Sequence, residues 1–486
     1  MGLKSSSYSR RDWFRMSMTA AAALAFQNSL RAANSAWSLT GMREELSKAD
    51  FGNDFVWGTA CAAYQVEGAT FGNKGEDVWD RFTHTPGKVK TGENGDIACD
   101  FYHHYPGDLE LLRQMNFNAF RFSISWARVL PNGTGKVNPE GIQFYHNVIA
   151  TCLSKGITPW ITLFHWDLPQ ALEDKGGFTN REVVKWFAEY VDLCTREYGN
   201  KVKNWMVLNE PLAVAGAGYM LGEFAPGKKG IKNFLPAVHH ITLCQAEGGR
   251  VIRKNLPNAN IGTTFSCTYV DPMNDHPKNV KAAKRVDAVM NRLFIEPALG
   301  MGYPVNEVPA LKHLEKYMQP GDDERMKFDF DFIGVQNYFR TVAKKSLFPP
   351  FLWAKEVPAN ERGVPVNEMN GEVSPEGFYK IIRQFAAYKQ VKKIYITENG
   401  ACFPDVLENG QVHDSKRISF FRDYLKALLR AKQEGMKVEG YFVWSLTDNF
   451  EWNDGFRPRF GLVYIDYASQ NRYMKDSGKW FAEFLK

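Results

Sequence analysis

From Asp54 onward, short apolar or β-branched runs alternate with longer segments whose apolar positions recur every three or four residues. The first pattern is that of a strand covered on both faces, the second that of an amphipathic helix. The strands predicted in this way run Phe55 to Thr59, Ala119 to Ile124, Thr158 to Phe164, Trp205 to Leu208, Ile261 to Phe265, Phe332 to Val335, Ile394 to Thr397 and Gly440 to Trp444. Residues 182–198 and 417–434 read as helices between them. Strands joined by helical crossovers imply a parallel sheet, and eight of them suit a closed barrel: an α/β fold, a single (β/α)8 TIM barrel with long βα loops. The stretch 348–370, rich in Pro, Asn and charge, reads as one of those loops rather than as a domain boundary.

In such a barrel the chemistry projects from the C-terminal strand ends. Along the chain those ends carry Gln65, Arg121, His165 with Trp166, Asn209 with Glu210, then Gln336-Asn337-Tyr338, Glu398-Asn399, and Trp444 through Glu451 and Trp452. A lone Glu at a strand end is ordinarily solvated or half of an ion pair. Glu210 and Glu398 each follow a buried strand directly, where a charge without a task is costly.

Six motifs in order carry a resemblance: Phe55-Val56-Trp57-Gly58-Thr59-Ala60 with Tyr64-Gln65-Val66-Glu67-Gly68-Ala69; Arg121-Phe122-Ser123-Ile124-Ser125-Trp126; His165-Trp166-Asp167-Leu168-Pro169; Asn209-Glu210-Pro211; Tyr395-Ile396-Thr397-Glu398-Asn399-Gly400; and Trp444 to Trp452. With them the chain resembles glycoside hydrolase family 1, the β-glucosidase family, from about Phe51 to its end. The resemblance implies a retaining β-glucosidase acting on terminal β-D-glucosyl residues, with β-galactosides or β-fucosides as further substrates. Glu210 is then the acid/base and Glu398 the nucleophile, with Arg121 and Tyr338 favouring the ionised nucleophile. Gln65, His165, Trp166, Asn209, Gln336, Glu451 and Trp452 are expected to grip the sugar, over a floor formed by Trp444. The chemistry agrees, because a glycosidic oxygen leaves poorly until protonated and the oxocarbenium-like transition state needs a negative group opposite.

The residues also depart from the family pattern. Val207 stands where Thr is usual, which reads as a neutral change beneath the site. Gln336-Asn337-Tyr338 replaces Asn-Tyr-Tyr and leaves open which amide meets the sugar, and Phe224 replaces a frequent His. Glu451 is a carboxylate where relatives acting on 6-phosphorylated sugars have another residue, and an ionised carboxylate repels a phosphate. Two other readings keep the barrel: a carbohydrate-binding protein without catalysis, against which both glutamates speak, and a transglycosylating relative with the same first half-reaction.

Composition narrows the remaining classes. Aromatic residues make up 14% of the chain, including 13 Trp, which suits both a core and sugar stacking. The net charge of +6 is concentrated near the start, where Lys4, Arg10, Arg11, Arg15 and Arg31 face only Asp12, so no basic face argues for nucleic acid. Residues 1–36, with Ser9-Arg10-Arg11-Asp12-Trp13-Phe14-Arg15 ahead of a mildly apolar run, resemble a twin-arginine export signal, and residues 45–486 form the catalytic barrel. The expected destination is periplasmic or extracellular, without stable membrane insertion after export. Seven scattered cysteines form no CxxC pair, and the neighbours His103-His104 and His239-His240 are poor chelates. No cofactor and no metal is expected, the partner is a small β-glucoside or oligosaccharide, and the oligomeric state is not readable from the sequence.

Overall fold

The computed structural model describes residues 46–349 and 351–486; the segment read as an export signal lies outside the described residues. Eight strands close one parallel barrel: β1 (Val56–Ala60), β2 (Ala119–Ser123), β3 (Thr158–Phe164), β4 (Asn204–Asn209), β5 (Asn260–Ser266), β6 (Phe332–Gln336), β7 (Ile394–Asn399) and β8 (Val438–Trp444). Each pairs with its sequence neighbours, and β1 joins β8 from Val56 opposite Gly440 to Ala60 opposite Trp444. All eight coincide with the sequence-predicted runs to within two residues.

The aromatic excess is used first as core. Within the barrel the Trp160 indole meets the rings of Tyr395, Phe442 and Phe332 at centroid distances of 4.8, 5.2 and 5.6 Å, an edge-on cluster that plugs the interior. Outside, the helix Val183–Tyr198 buries Val183, Val184, Phe187, Tyr190, Val191, Cys194 and Tyr198, the stripe expected of a helix lying on a sheet. The helix Ile231–Asn255 packs beside it, and a Cβ at Gly248 would come within 2.5 Å of Val207 and 2.8 Å of Phe187. Val207 therefore points outward into the helical layer. It does not lie beneath the site, because the register of β4 against β5 shifts between Met206 and Asn209 and overturns simple alternation.

A similar shift occurs in β7 between Ile396 and Asn399, against both neighbours. Local irregularities of this kind re-aim side chains, and they fall on the two strands that end in glutamates. Beyond them Gly400 passes so close to the backbone of β8 that a Cβ would sit 1.9 Å from the Trp444 carbonyl oxygen. The expected loop 348–370 is partly ordered: Ala354–Glu356 pairs antiparallel with Thr341–Lys345, which pairs with Val270–Pro272, and a 3-10 turn follows at Ala359–Arg362. A three-residue strand holding Lys355 and Glu356 is too short and polar to show a periodic signal. All seven cysteines are buried and unpaired, and no helix among the described residues is long and apolar enough to cross a membrane.

Candidate active site

The C-terminal ends of β2, β4, β6 and β7 converge on one fully buried guanidinium. Arg121 donates from Nη1 to Glu398 Oε1 at 2.5 Å and to the Thr397 carbonyl at 3.3 Å, from Nη2 to Asn209 Oδ1 at 2.5 Å, and from Nε to Thr162 Oγ1 at 3.0 Å. Glu398 collects two further donors, Gln336 Nε2 at 2.9 Å on Oε1 and the Tyr338 hydroxyl at 2.5 Å on Oε2. Burial leaves the Glu398 pKa above the usual carboxylate value, although the Arg121 charge and the hydrogen bonds from Tyr338 and Arg121 pull it back down. Charge-assisted bonds of this length stabilise the ionised form.

Glu210 occupies a different environment. It is buried, its backbone is left-handed at φ 45°, and its amide donates to the Thr264 carbonyl at 3.0 Å. Burial first, and then the Glu398 charge, push its carboxyl well above the usual carboxylate range, opposed by a hydrogen bond with Ser266 and by Arg121. One carboxyl thus gathers donors that favour its charge, and the other is held toward its neutral form.

Asn209 links this centre to His165. Its Oδ1 accepts from Arg121, from Gln336 Nε2 at 2.7 Å and from Thr264 Oγ1 at 2.9 Å. Three donors around one atom fix the amide's orientation, so Nδ2 faces His165 Nε2 at 2.9 Å and donates to it. The His165 proton then sits on Nδ1, a buried atom with no protein partner, and burial together with the Arg121 charge keeps the ring neutral.

The remaining sequence-predicted residues line the same end. Trp166 donates from its indole nitrogen to the Asn209 carbonyl at 3.0 Å and lies 4.5 Å from Trp452, so it serves as a wall with no free donor. Trp452 also packs 4.4 Å from Trp79, and Phe224 fills the corner at 5.4 Å from Trp79 and 5.5 Å from Trp166. Trp444 is buried 6.0 Å from His165, and the peptide that follows it is cis. Glu451 keeps some exposure in the cleft, with Gln65 Nε2 3.4 Å from its Oε2; burial, Asp454 and Glu398 push its carboxyl up to about 8.

Of the two amides left open after β6, Gln336 reaches Glu398, whereas Asn337 Nδ2 donates to the carbonyls of Cys267 and Phe339, both at 2.9 Å, and fastens the loop. Thr162, Thr264 and Ser266 touch Arg121, Asn209 and Glu210 respectively, although the sequence reading does not single them out. Their signal was hydroxyl residues inside otherwise apolar strands, as in Gly262-Thr263-Thr264-Phe265-Ser266. Among the described residues no group of His, Cys, Asp and Glu could hold a metal ion.

Two carboxyls with opposed environments, at the ends of β4 and β7 of a (β/α)8 barrel, suit glycoside hydrolysis by a paired acid and base. The sequence model of glycosyl hydrolase family 1 matches residues 47–486. The chain belongs to this family. It is similar to the β-glucosidase A of Thermotoga maritima, 40% identical over 439 residues covering 90% of this chain and 98% of that one. The 1,4-beta-D-glucan glucohydrolase of Thermotoga neapolitana matches at the same identity and coverage. Among solved structures, the family 1 β-glucosidase of Thermotoga maritima superposes with a TM-score of 0.86 at 39% identity, covering 90% of this chain and 98% of that one. The same enzyme in complex with deoxynojirimycin gives 0.85 at 39% identity and the same coverage. The family 1 chain described here is a glycosidase.

Proposed function

We propose that this family 1 enzyme is a retaining β-glucosidase in which Glu398 is the nucleophile and Glu210 the acid/base, acting on an unphosphorylated β-glucoside. The observation that carries the assignment is the asymmetry of donors. Glu398 receives Arg121, Gln336 and Tyr338, while Glu210 feels mainly burial and the charge of Glu398.

In the first half-reaction a Glu398 oxygen forms a bond to the anomeric carbon as the bond to the glycosidic oxygen breaks. The proton of Glu210 goes to that oxygen, and the aglycone leaves as an alcohol. Glu398 is then esterified and uncharged, which removes the main coulombic cause holding Glu210 protonated. Glu210 becomes able to accept a proton from water, whose oxygen attacks the anomeric carbon and returns Glu398 as a carboxylate. Two displacements at one carbon retain the β configuration.

His165 Nδ1–H and the free oxygen of Gln65 supply a donor and an acceptor for sugar hydroxyls, with Trp444 beneath the ring. Glu451, beside Asp454 and with no cation paired to it among the described residues, offers a 6-phosphate no counter-charge. A screen of p-nitrophenyl glycosides, with the first-formed product anomer followed by NMR, tests the reading: β-glucoside turnover with β product is expected. Inversion, or no turnover of any β-glycoside, overturns it. Glu210→Gln is expected to slow substrates with poor leaving groups far more than activated ones, and Glu398→Gln to abolish both.

The enzyme is proposed to be exported, on the strength of Arg10-Arg11 ahead of the apolar run. Activity in a bacterial periplasm that disappears in an Arg10→Lys, Arg11→Lys variant is expected; unchanged periplasmic activity refutes the twin-arginine route.

A further inference from the structure

The loop after β8 holds residues the mechanism does not use. Ser445 is fully buried and donates from Oγ to the Thr447 carbonyl at 2.8 Å. Its single hydrogen is thereby committed, so toward Asn449 Nδ2, 3.0 Å away, it acts only as acceptor. Asn449 must then turn its oxygen to the other side, where Gln65 Nε2 lies at 2.9 Å. The second Gln65 amide hydrogen goes to the Phe450 carbonyl, also at 2.9 Å, an acceptor that cannot reverse. Gln65 Oε1 is left buried without a protein partner.

The polarity of this series is therefore set at one end by a backbone carbonyl and expressed at the other by a side-chain oxygen. Its anchor is rigid: Asp448, between Thr447 and Asn449, accepts from Lys475 Nζ at 2.6 Å, Arg459 Nη1 at 2.6 Å and the Gly461 amide at 3.0 Å. Across the site, Arg121 orients Asn209, and through it His165, in the opposite sense, leaving a free donor.

We infer that Ser445 and Asn449 are positioning residues that hold Gln65 as an acceptor-only contact, so that the enzyme selects a sugar whose hydroxyl at that place can donate. The inference rests on Gln65 contacting the sugar. Without the relay the Phe450 carbonyl is the one fixed acceptor left to the Gln65 amide, so its hold on the acceptor-only orientation weakens and discrimination at that hydroxyl falls. A buried acceptor left unpaired costs about 1–3 kcal/mol, which corresponds to roughly 5- to 150-fold in kcat/KM.

The experiment compares p-nitrophenyl β-glucoside with its 3-deoxy and 4-deoxy analogues in the parent enzyme, Asn449→Leu and Ser445→Ala. The parent is expected to lose roughly 5- to 150-fold in kcat/KM on at least one analogue. In Asn449→Leu that ratio is expected to shrink to about twofold, chiefly by loss on the parent sugar through KM, with kcat less affected. Ser445→Ala, a loss of one oxygen, is expected to lie between the two and covers the case in which Asn449→Leu fails to fold. If the parent shows the penalty and both variants keep it in full, the relay is refuted. If the parent shows no penalty with either analogue, Gln65 does not meet a hydroxyl there, and the sugar contact itself is withdrawn.

Discussion

Replacing Tyr338 by Phe removes one oxygen from the site and tests how far donors on Glu398 govern the reaction. The hydroxyl donates to Glu398 Oε2 at 2.5 Å, and the ring is held separately, 5.9 Å from Phe460, so it keeps its place in the variant. A hydrogen bond to a charged group contributes about 1.5–3 kcal/mol. In the proposed second half-reaction the Glu398 carboxylate is the leaving group, and with about half its charge developed in the transition state the loss is roughly 0.8–1.5 kcal/mol. That corresponds to a deglycosylation step slowed roughly 4- to 12-fold. With a dinitrophenyl β-glucoside, for which release of the aglycone is fast, steady-state turnover should drop by that factor while the initial burst persists. Together with Arg121, Tyr338 lowers the Glu398 pKa against burial, so its loss moves the acid limb of the kcat/KM profile to higher pH. An unmoved acid limb together with unchanged turnover would falsify the claim that Tyr338 supports the ionised nucleophile.

Two further outcomes follow from buried charge elsewhere. Glu451 has its pKa raised from 4.5 to about 8, so the cost of its ionisation is absent in acid and grows as pH rises. Glu451→Gln should melt like the parent below about pH 4. Its advantage should open as pH rises and level off above about 8, and a gap that is constant across that range counts against the shift. Lys475, fully buried, pairs with Asp405 at 2.5 Å and Asp448 at 2.6 Å, yet Arg417 and Arg459 still face those carboxylates when it is gone. Lys475→Met should therefore lose toward the lower end of the about 3–5 kcal/mol typical of a broken buried pair, read by urea titration; a variant as stable as the parent would show the cluster to be dispensable.

Most of the barrel was legible because parallel strands are covered on both faces and read as unbroken apolar runs, as Trp205 to Leu208 does. Glu210 and Glu398 stood out for the same reason, each being a charge set directly on such a run. What was hidden depends on register and orientation. Counting alternate residues puts Val207 on the face of Asn209, but the shift between Met206 and Asn209 turns it to the helices. Choosing between Gln336 and Asn337 requires knowing that the strand ends at Gln336 and that the next amide folds back to Cys267 and Phe339. Thr264 and Ser266 carry no family signature and become meaningful only when β5 lies between β4 and β6. The hairpin at Thr341–Lys345 and Ala354–Glu356 is held by pairing partners distant in sequence, so no local pattern announces it.

The division of labour between the two glutamates follows from a shortage of positive charge. Among the described residues Arg121 is the single cation that hydrogen-bonds into the buried centre, and its nitrogens are spread over Glu398, Asn209, Thr162 and the Thr397 carbonyl. Burial and the same charge keep His165 neutral, so the imidazole adds no second cation. One guanidinium cannot offset two ionised carboxylates in a water-poor site, and the second must hold a proton. Which one holds it is decided by donors: Gln336 and Tyr338 both turn toward Glu398 rather than Glu210. Asn209 could have weakened this preference by competing for Arg121 as an anion would. It accepts the guanidinium as a neutral amide instead, and passes the resulting orientation to His165. On the proposed assignment, the protonation state needed for cleavage is thus built in before a sugar arrives. Once Glu398 is esterified the shortage ends, and Glu210 can give up its proton-holding role and take a proton from water.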